Sequence, residues 1–172
     1  MNVLDNTASV ANLLSLTIQI KNNKKLPKYQ VTIAFTDNEE FGGSGASRLC
    51  NKIRMNEFGN VIGNINLELT GKGKIWVDRV YFKENYITQK LLEIAPNLPI
   101  HDVPFNDSVI FRQFGLYSIC LGAMPDEDMA ELQDNGETCK YWQFCHKNSD
   151  DMSNANEGEM ETFVEQLKQF VL

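Results

Sequence analysis

Apolar residues follow a helical spacing at the start of the chain and a strand-like spacing soon after it. Over residues 9–22 they recur every three or four positions, which predicts a helix with one apolar face. The residues of that face are Val10, Leu13, Leu14 and Ile18. The run VTIAFT at 31–36 is apolar almost throughout and rich in β-branched residues, as in strands that are buried on both faces. The run NINLELT at 64–70 alternates, which predicts a strand with one apolar and one polar face.

The rest of the pattern continues this alternation of strands and helices. Helices are predicted at 45–53, about 84–95 and about 107–114, and strands at 74–82, 99–105 and 117–123. A helix closes the chain, and Asn156 followed by Glu159 predicts a capping box at its start. Residues 124–155 show little periodicity, so we expect an irregular segment of the kind that often serves a site. This order predicts one α/β domain over residues 1–172, with helices flanking a mostly parallel or mixed sheet.

The composition narrows the classes of partner. The chain has 172 residues, a formal net charge of −7 and no cluster of Lys or Arg, which argues against nucleic acid or an anionic membrane surface as a partner. Because it shows neither an apolar run of membrane-spanning length nor a signal-peptide core, we expect a cytoplasmic protein. Its four cysteines are then expected to be reduced, although Cys139 and Cys145 are close enough in sequence to form a bridge in an oxidising compartment.

Acidic residues stand where predicted strands end. Glu39 and Glu40 follow the run at 31–36, Glu68 lies near the end of the next strand, and Asp107 follows a third. In parallel sheets, chemistry gathers beyond the carboxyl ends of the strands. Neighbouring residues on an extended segment point in different directions, so one glutamate of the pair could bind a metal ion while the other holds a water molecule nearby. A solvated acidic corner near a helix start is the alternative interpretation.

The other candidate residues also have plain structural interpretations. Asp5 precedes the first predicted helix and could simply cap it, and Asp107 could cap the short helix that follows it. Glu68 could lie on the wet face of an edge strand, and His146 could be a surface residue of a loop. His101, which has apolar neighbours in a predicted strand, is interpreted as structural.

Taken in order along the chain, five stretches resemble the motifs of the zinc-dependent aminopeptidase family whose relatives include the glutaminyl cyclases. These stretches are DNTASVANLL, FTDNEEFGGSGASRL, NINLELTG, NDSVIFRQFGLYSICLG and HKNSDD. The family pattern is an acidic residue before a helix, an EE pair after a strand, an NLD strand end, an SD segment, and a late His followed by Asp. The resemblance covers nearly the whole chain and is most specific around the glutamate pair. It implies a phosphorylase/hydrolase-like α/β architecture of the zinc exopeptidase kind.

The resemblance also implies roles for four of the candidates. Asp5 corresponds to the metal-bridging aspartate, Glu39 to the general base, and Glu40 and His146 to ligands of one zinc ion. Two carboxylates and one imidazole form a sufficient ligand set for a tetrahedral zinc with an open fourth position.

The chain departs from the family pattern at the second metal position. Glu68 stands where the family has an aspartate ligand of the second zinc, so the resemblance makes it a further candidate metal ligand. The family's upstream HxD histidine is absent, because the chain begins only four residues before Asp5. We therefore expect one zinc ion rather than two, in a site that could also accept Mn or Co. Asp107 falls at the second position of the SD segment, which helps to shape the site.

The family's opening helix and first strands are absent as well, so we expect an N-terminally truncated sheet. An open sheet edge invites association, which predicts a homo-oligomer or an edge that is covered in another way. The alternative is that the chain is a fragment of a longer enzyme.

Three hypotheses about function follow from the resemblance. The first is a zinc metallopeptidase of aminopeptidase type, in which Glu39 activates a zinc-bound water that attacks a peptide or aminoacyl substrate. The second is a glutaminyl cyclase-like acyl transfer at one zinc ion. The third is a homologue without hydrolytic activity, which retains the fold for binding or assembly.

Overall fold

A computed structural model describes residues 2–25, 27–78, 86–101, 106–135 and 141–172. Its centre is a four-stranded mixed sheet in the order β1-β4-β2-β3. The strands are β1 (Asn64–Glu68), β2 (Lys74–Asp78), β3 (Ile100–His101) and β4 (Ser118–Met124). Strand β4 pairs parallel with β1 and antiparallel with β2, and β2 pairs parallel with β3. The expected α/β class with a mixed sheet is confirmed.

Six α-helices surround this sheet within the described residues. They are α1 (Ala8–Asn22), α2 (Ser44–Arg54), α3 (Tyr86–Ile94), α4 (Asp107–Gln113), α5 (Asp126–Asn135) and α6 (Glu157–Val171). Helix α6 begins as the sequence predicts, since the Asn156 side chain accepts a hydrogen bond from the backbone N–H of Glu159. The return half of the capping box is not made, because the Glu159 carboxylate accepts a hydrogen bond from the Gly73 N–H instead.

Both faces of the sheet are buried, and alternate residues of the strands serve opposite faces. On one face Val77 and Leu121 pack with helices α1, α3 and α6 through residues such as Leu16 and Phe163. On the other face Trp76 joins a second cluster. The other buried members of that cluster are Leu4, Leu69, Cys120, Met124, Met129, Leu132 and Tyr141. Gly122 of β4 permits the Trp76 ring to lie against the sheet, because a Cβ at that position would collide with the ring.

The predicted buried strand at 31–36 is wrong. This segment forms no strand, and most of its residues are exposed, with Phe35 at 54%. Ile33 alone of the segment packs against the main core. A strand needs a neighbour for its backbone donors and acceptors. Among the described residues, none supplies that ladder to 31–36.

The predicted apolar face of α1 is also largely wrong. Three of its four residues, Val10, Leu14 and Ile18, are exposed, and Ile18 reaches 61%. The helix instead turns Leu16 into the core, with Leu13 packed beside it. Helix α1 carries apolar residues on more than one side, so the periodicity alone could not identify the covered side.

Two further expectations need correction. The stretch 124–155 contains a helix, α5, whose first turn carries three acids and which buries Met129 and Leu132. Helix α4 is capped by Asn106, whose side chain accepts from the Ser108 N–H, and not by Asp107.

Some predictions lie outside the described residues. They concern Cys139, the predicted strand residues 79–82 and 102–105, and the predicted helix start at 84–85. Cys50, Cys120 and Cys145 are free thiols.

Candidate metal centre

The glutamate pair lies in a tight turn directly before α2. The N–H groups of Gly42 and Gly43 donate to the carbonyl of Glu39, and Gly43 also donates to the carbonyl of Asn38. Both glycines have positive φ, 82° and 64°, which a residue without a Cβ adopts at no steric cost. The turn therefore presents Glu39 and Glu40 side by side at the start of the helix.

Asp5 lies on an irregular turn over Val3–Thr7 that leads into α1. Its backbone departs from helical geometry (φ −115°, ψ 89°), and the Asp5–Asn6 peptide bond is cis. The residue at the N-cap of α1 is Thr7, so Asp5 does not act as the cap of that helix. The backbone N–H of Asp5 donates to Oδ2 of Asp150 over 3.1 Å, which fixes the turn against the far end of the chain.

His146 lies in a loop after a short 3₁₀ turn at Trp142–Phe144 and has a positive φ of 62°. Its Nε2 atom lies 2.9 Å from Oδ2 of Asp5 and 2.6 Å from Oε1 of Glu40. One imidazole nitrogen thus faces two carboxylates that come from distant parts of the sequence.

The ligand atoms of Asp5, Glu40 and His146 all lie within 4.8 Å of one another. Among the described residues they form the one group of at least three such side chains with this spacing. The pKa of Asp5 is raised, first by burial and then by the negative charge of Glu40, while His146 opposes that rise. Two carboxylate oxygens and one imidazole nitrogen are ligands that Zn²⁺ accepts, and a cation would relieve the repulsion between the carboxylates. The residues present therefore fit one divalent metal ion.

Glu39 stands beside this group without belonging to it. Burial and the neighbouring charge of Glu40 raise the pKa of the Glu39 carboxyl to about 7. Asp107 and Asp5 add to the rise, and His146 opposes it. A carboxyl group with this pKa exchanges protons near neutral pH, as a general base must.

Glu68, at the end of β1, lines one pocket with Asp5, Glu40 and His146 but does not belong to their three-residue group. Its Oε2 accepts a hydrogen bond from Nδ2 of Asn6 over 2.6 Å, and its Oε1 accepts one from Nδ2 of Asn66 over 2.8 Å. Burial raises the pKa of Glu68 to about 8, although the Asn66 hydrogen bond opposes that rise. Both carboxylate oxygens of Glu68 are thus engaged by amide groups.

Asp107 lies buried in the first turn of α4, behind the glutamate pair. Its Oδ2 accepts a hydrogen bond from the Thr36 hydroxyl over 2.6 Å. Burial raises its pKa, and the Thr36 hydrogen bond opposes this. Asp107 is close to the turn, since a Cβ on Gly43 would lie 3.2 Å from its Oδ1. Asp107 is not among the three residues whose ligand atoms meet.

The three ligand residues share a pocket of about 540 Å³ with Glu39 and Glu68. Its walls include Asp5, Glu39, Glu40, Glu68, Trp142 and His146. A larger cleft of about 790 Å³ lies elsewhere, between the start of β2 and the segment after α3, and contains none of the candidate residues. The smaller pocket holds the acids and the imidazole, and its size is in the range of small-molecule sites.

Three polar residues of the site had no assigned role in the sequence. Asn6 and Asn66 bind Glu68, and Asp150 binds the backbone of Asp5. The sequence shows that Asp150 follows His146 by four residues within the HKNSDD stretch. The sequence does not show that Asp150 binds the backbone of Leu4 and Asp5, because these partners lie about 145 residues away. His101 is buried in β3, in agreement with its structural interpretation.

The comparisons with known proteins concern the family and the fold of the chain. Residues 3–171 match the family model of peptidase family M28. Among solved structures, the zinc aminopeptidase BSAP from Bacillus subtilis superposes with a TM-score of 0.78 at 16% identity, covering 98% of this chain and 41% of that one. The aminopeptidase from Aneurinibacillus sp. strain AM-1 gives a TM-score of 0.75 at 16% identity, with 97% of this chain and 38% of that one covered.

The LapA aminopeptidase of Legionella pneumophila gives a TM-score of 0.76 at 14% identity, covering 98% of this chain and 45% of that one. The chain thus spans less than half the length of each of these solved relatives. No curated protein sequence gives a significant match. Among the described residues, no helix combines the length and the apolar run that crossing a membrane requires.

Proposed function

We propose that this chain, which belongs to peptidase family M28, acts as an aminopeptidase at one zinc ion held by Asp5, Glu40 and His146. The observation that carries the proposal is the convergence of these three side chains from three separate segments, with the proton acceptor Glu39 beside them. The solved relatives named zinc aminopeptidases support the choice of zinc and of substrate class.

The zinc ion, when bound, would lower the pKa of water and polarise the scissile carbonyl group. Glu39 takes the proton of the attacking water and returns it to the leaving amine as the tetrahedral carbon collapses. Its pKa of about 7 allows both transfers near neutral pH. Asp5, Glu40 and His146 would hold the ion, and Asp107 lies close to the turn that carries Glu39.

The charge of the pocket supports a substrate with a free amino terminus. Glu39 and Glu68 line the pocket outside the ligand set, with pKa values raised to about 7 and about 8, and the described lining contains no Lys or Arg. A neighbouring cation favours the ionised form of a carboxyl group. An α-ammonium group is therefore attracted into the pocket, whereas a substrate carboxylate is repelled. This selects the end of a peptide rather than its middle.

One observation favours a second candidate function. The described residues provide a single set of three ligand atoms, as expected for a one-zinc site. The side chain of Glu68 accepts hydrogen bonds from two amide groups, those of Asn6 and Asn66. A one-zinc site of this composition resembles that of the glutaminyl cyclases, whose reaction is an intramolecular acyl transfer. The glutamate pair would serve either reaction, so the substrate decides between them.

The decisive experiment measures metal content and turnover on the same protein. Purified chain is freed of metal, titrated with zinc, and assayed with fluorogenic aminoacyl substrates and with a glutaminyl peptide whose cyclisation is followed by mass spectrometry. We expect one zinc per chain and release of the amino-terminal residue that disappears with a chelator and returns with zinc. Parallel titrations with Mn and Co test the identity of the metal.

Each other result has a definite meaning. Cyclisation without aminoacyl hydrolysis would replace the first candidate by the second. Full zinc occupancy with no turnover on either substrate would support a homologue that retains the fold for binding or assembly. Failure to bind zinc would overturn the proposal altogether.

The predicted homo-oligomer concerns two open surfaces of the described residues. Strand β1 is an edge of the described sheet, and α1 exposes Val10, Leu14 and Ile18. We expect a second copy to cover at least one of these surfaces, because an open edge and an apolar stripe each favour association. Light scattering after size exclusion tests this by comparing the wild type with a Leu14→Ser, Ile18→Ser variant. Met55→Ser, at an equally exposed apolar residue after α2, serves as the control.

A further inference from the structure

Asp150 is fully buried, and both oxygens of its carboxylate are used by the backbone of the opposite end of the chain. The N–H of Leu4 donates to its Oδ1 over 2.8 Å, and the N–H of Asp5 donates to its Oδ2 over 3.1 Å. The side chain of Asn154 donates to the same Oδ1 over 3.4 Å. A buried carboxylate is costly unless such donors surround it, so this arrangement is specific.

The same residue closes the loop that carries His146. The backbone N–H of Asp150 donates to the carbonyl of Lys147 over 3.0 Å, which forms a turn directly after His146. Through its backbone Asp150 therefore belongs to the histidine loop, and through its side chain it binds the turn that carries Asp5. One residue thus joins the segments of two of the three proposed ligands.

This connection is important because neither segment is held by regular secondary structure. Asp5 lies on a turn with non-helical backbone angles, and His146 lies in a loop at positive φ. Their ligand atoms nevertheless meet at 2.9 Å. A metal centre requires its ligand atoms to be held within a few tenths of an ångström, which isolated turns do not achieve without a direct connection.

We propose that Asp150 is a positioning residue of the metal centre, which sets the separation between Asp5 and His146 by holding the backbone of residues 4 and 5. This inference rests on the proposed zinc site and adds a residue to it. Asparagine cannot replace Asp150 here, because it offers one acceptor oxygen to two N–H groups and directs its own N–H₂ at the other.

The test compares the zinc affinity of Asp150→Asn with that of Asp151→Asn, measured by competition with a chromophoric chelator. Asp151 is the next residue and is exposed, so its variant makes the same change of charge. Outer residues that orient metal ligands alter affinity by about 10- to 100-fold. We therefore expect Asp150→Asn to weaken zinc binding at least about tenfold, and Asp151→Asn to leave it within about twofold of the wild type.

A third variant separates positioning from general stability. Val164→Ala removes buried volume from α6, far along the chain from the site, and should lower the melting temperature without changing zinc affinity. If Asp150 were only structural, a folded Asp150→Asn protein would behave like Val164→Ala, with a lower melting temperature and unchanged zinc affinity. That result would overturn the inference.

The outcomes also distinguish this inference from the proposed function. If the wild type binds no zinc, the metal site itself is refuted. If the wild type binds zinc and folded Asp150→Asn binds it equally tightly, only the role of Asp150 is refuted. Should Asp150→Asn fail to fold, Asn154→Ala replaces it, because it removes a donor to the Asp150 carboxylate and to the Ser149 carbonyl and leaves the two backbone partners of Asp150 in place. We expect this variant to weaken zinc binding by less than the roughly 10-fold lower limit for a lost outer partner. Unchanged affinity there would equally contradict the inference.

Discussion

Two acidic corners of one pocket differ in how their carboxylates are satisfied. In the open corner, formed by Asp5, Glu40 and His146, two carboxylates face a single imidazole nitrogen. In the closed corner, formed by Glu68, Asn6 and Asn66, each oxygen of one carboxylate accepts a hydrogen bond from an amide. In the open corner a cation would relieve the repulsion between two carboxylates, whereas in the closed corner neutral amide donors contact the one carboxyl group.

In the proposed site, the residue type alone does not make a metal ligand. Glu40 and Glu68 are both glutamates near the ends of predicted strands, and both line the same pocket. What separates them is the chemistry of the side chains around each. Four experiments test this difference, in descending order of the effect that we expect.

The largest effect is expected from Glu39→Gln, which removes the proton acceptor beside the open corner. Turnover should fall by about 10²- to 10⁴-fold, because a general base contributes that much to a proton transfer. Zinc stoichiometry should stay the same, since Glu39 is not among the three ligand atoms. Steady-state kinetics and metal analysis measure the two quantities, and Glu161→Gln on the exposed side of α6 is the control. Normal turnover in Glu39→Gln would remove Glu39 from the mechanism.

The second prediction compares the two corners directly by zinc affinity. Glu40→Gln should weaken zinc binding by at least about 100-fold, because direct ligands exceed the 10- to 100-fold effects of outer partners. Glu68→Gln should change it by no more than about threefold, below those outer-partner effects. Competition titrations with a chelator measure both variants under one set of conditions. Equal losses in the two variants would mean that the closed corner also binds the metal, and the distinction would fail.

The third prediction concerns the stability of the closed corner. Asn66→Ala removes the donor to Oε1 of Glu68 and should lower the free energy of unfolding by about 1–3 kcal/mol, the cost of an unsatisfied buried polar group. Urea denaturation at pH 8 measures the effect. Asn60→Ala, at an exposed position in the loop before β1, should change the stability little. Should Asn66→Ala prove as stable as the wild type, the amide hydrogen bond would not hold Glu68.

The smallest effect is a gradual dependence of stability on pH in the metal-free protein. The pKa of Glu68 is about 8 and that of Glu39 about 7 in the folded chain, against an ordinary value of 4.5. Between pH 4.5 and 8 the folded state therefore binds more protons than the unfolded chain, so the free energy of unfolding falls as pH rises through this window.

Melting temperatures from pH 5 to pH 8.5 measure this slope. Glu68→Gln should flatten it by removing the group with the higher pKa, while Glu161→Gln, on the solvent side of α6, should leave it unchanged. A wild-type stability that rises over this range would show that burial does not keep the two carboxyl groups protonated.

Most regular elements could be predicted because their signals are local. The cap of α6 by Asn156 needs only a side chain and an N–H three residues away. The alternation of β1 and the continuous apolar run of β4 follow from the period of a strand. Helix α5 was missed although Met129 and Leu132 have helical spacing, because polar residues dominate the stretch around them.

The candidate site could be predicted only in part. The order of motifs identified Asp5, Glu40 and His146, and the structure brings their ligand atoms together. Glu68 stays a predicted further ligand. Its hydrogen bond from Asn6, 62 residues away in the sequence, could not be predicted. The cytoplasmic location and the oligomeric state stay predictions.

The amino-acid sequence by itself determined the family, most of the strands and helices, and which side chains could bind a metal ion. The tertiary structure alone decided that residues 31–36 lack a partner strand, that α1 turns Leu16 inward, and that Asp150 holds the backbone of Asp5. The physical reason is the range of the interactions. Periodicity, caps and turns depend on residues a few positions apart, whereas burial and the pairing of polar groups depend on side chains that only the folded chain brings into contact.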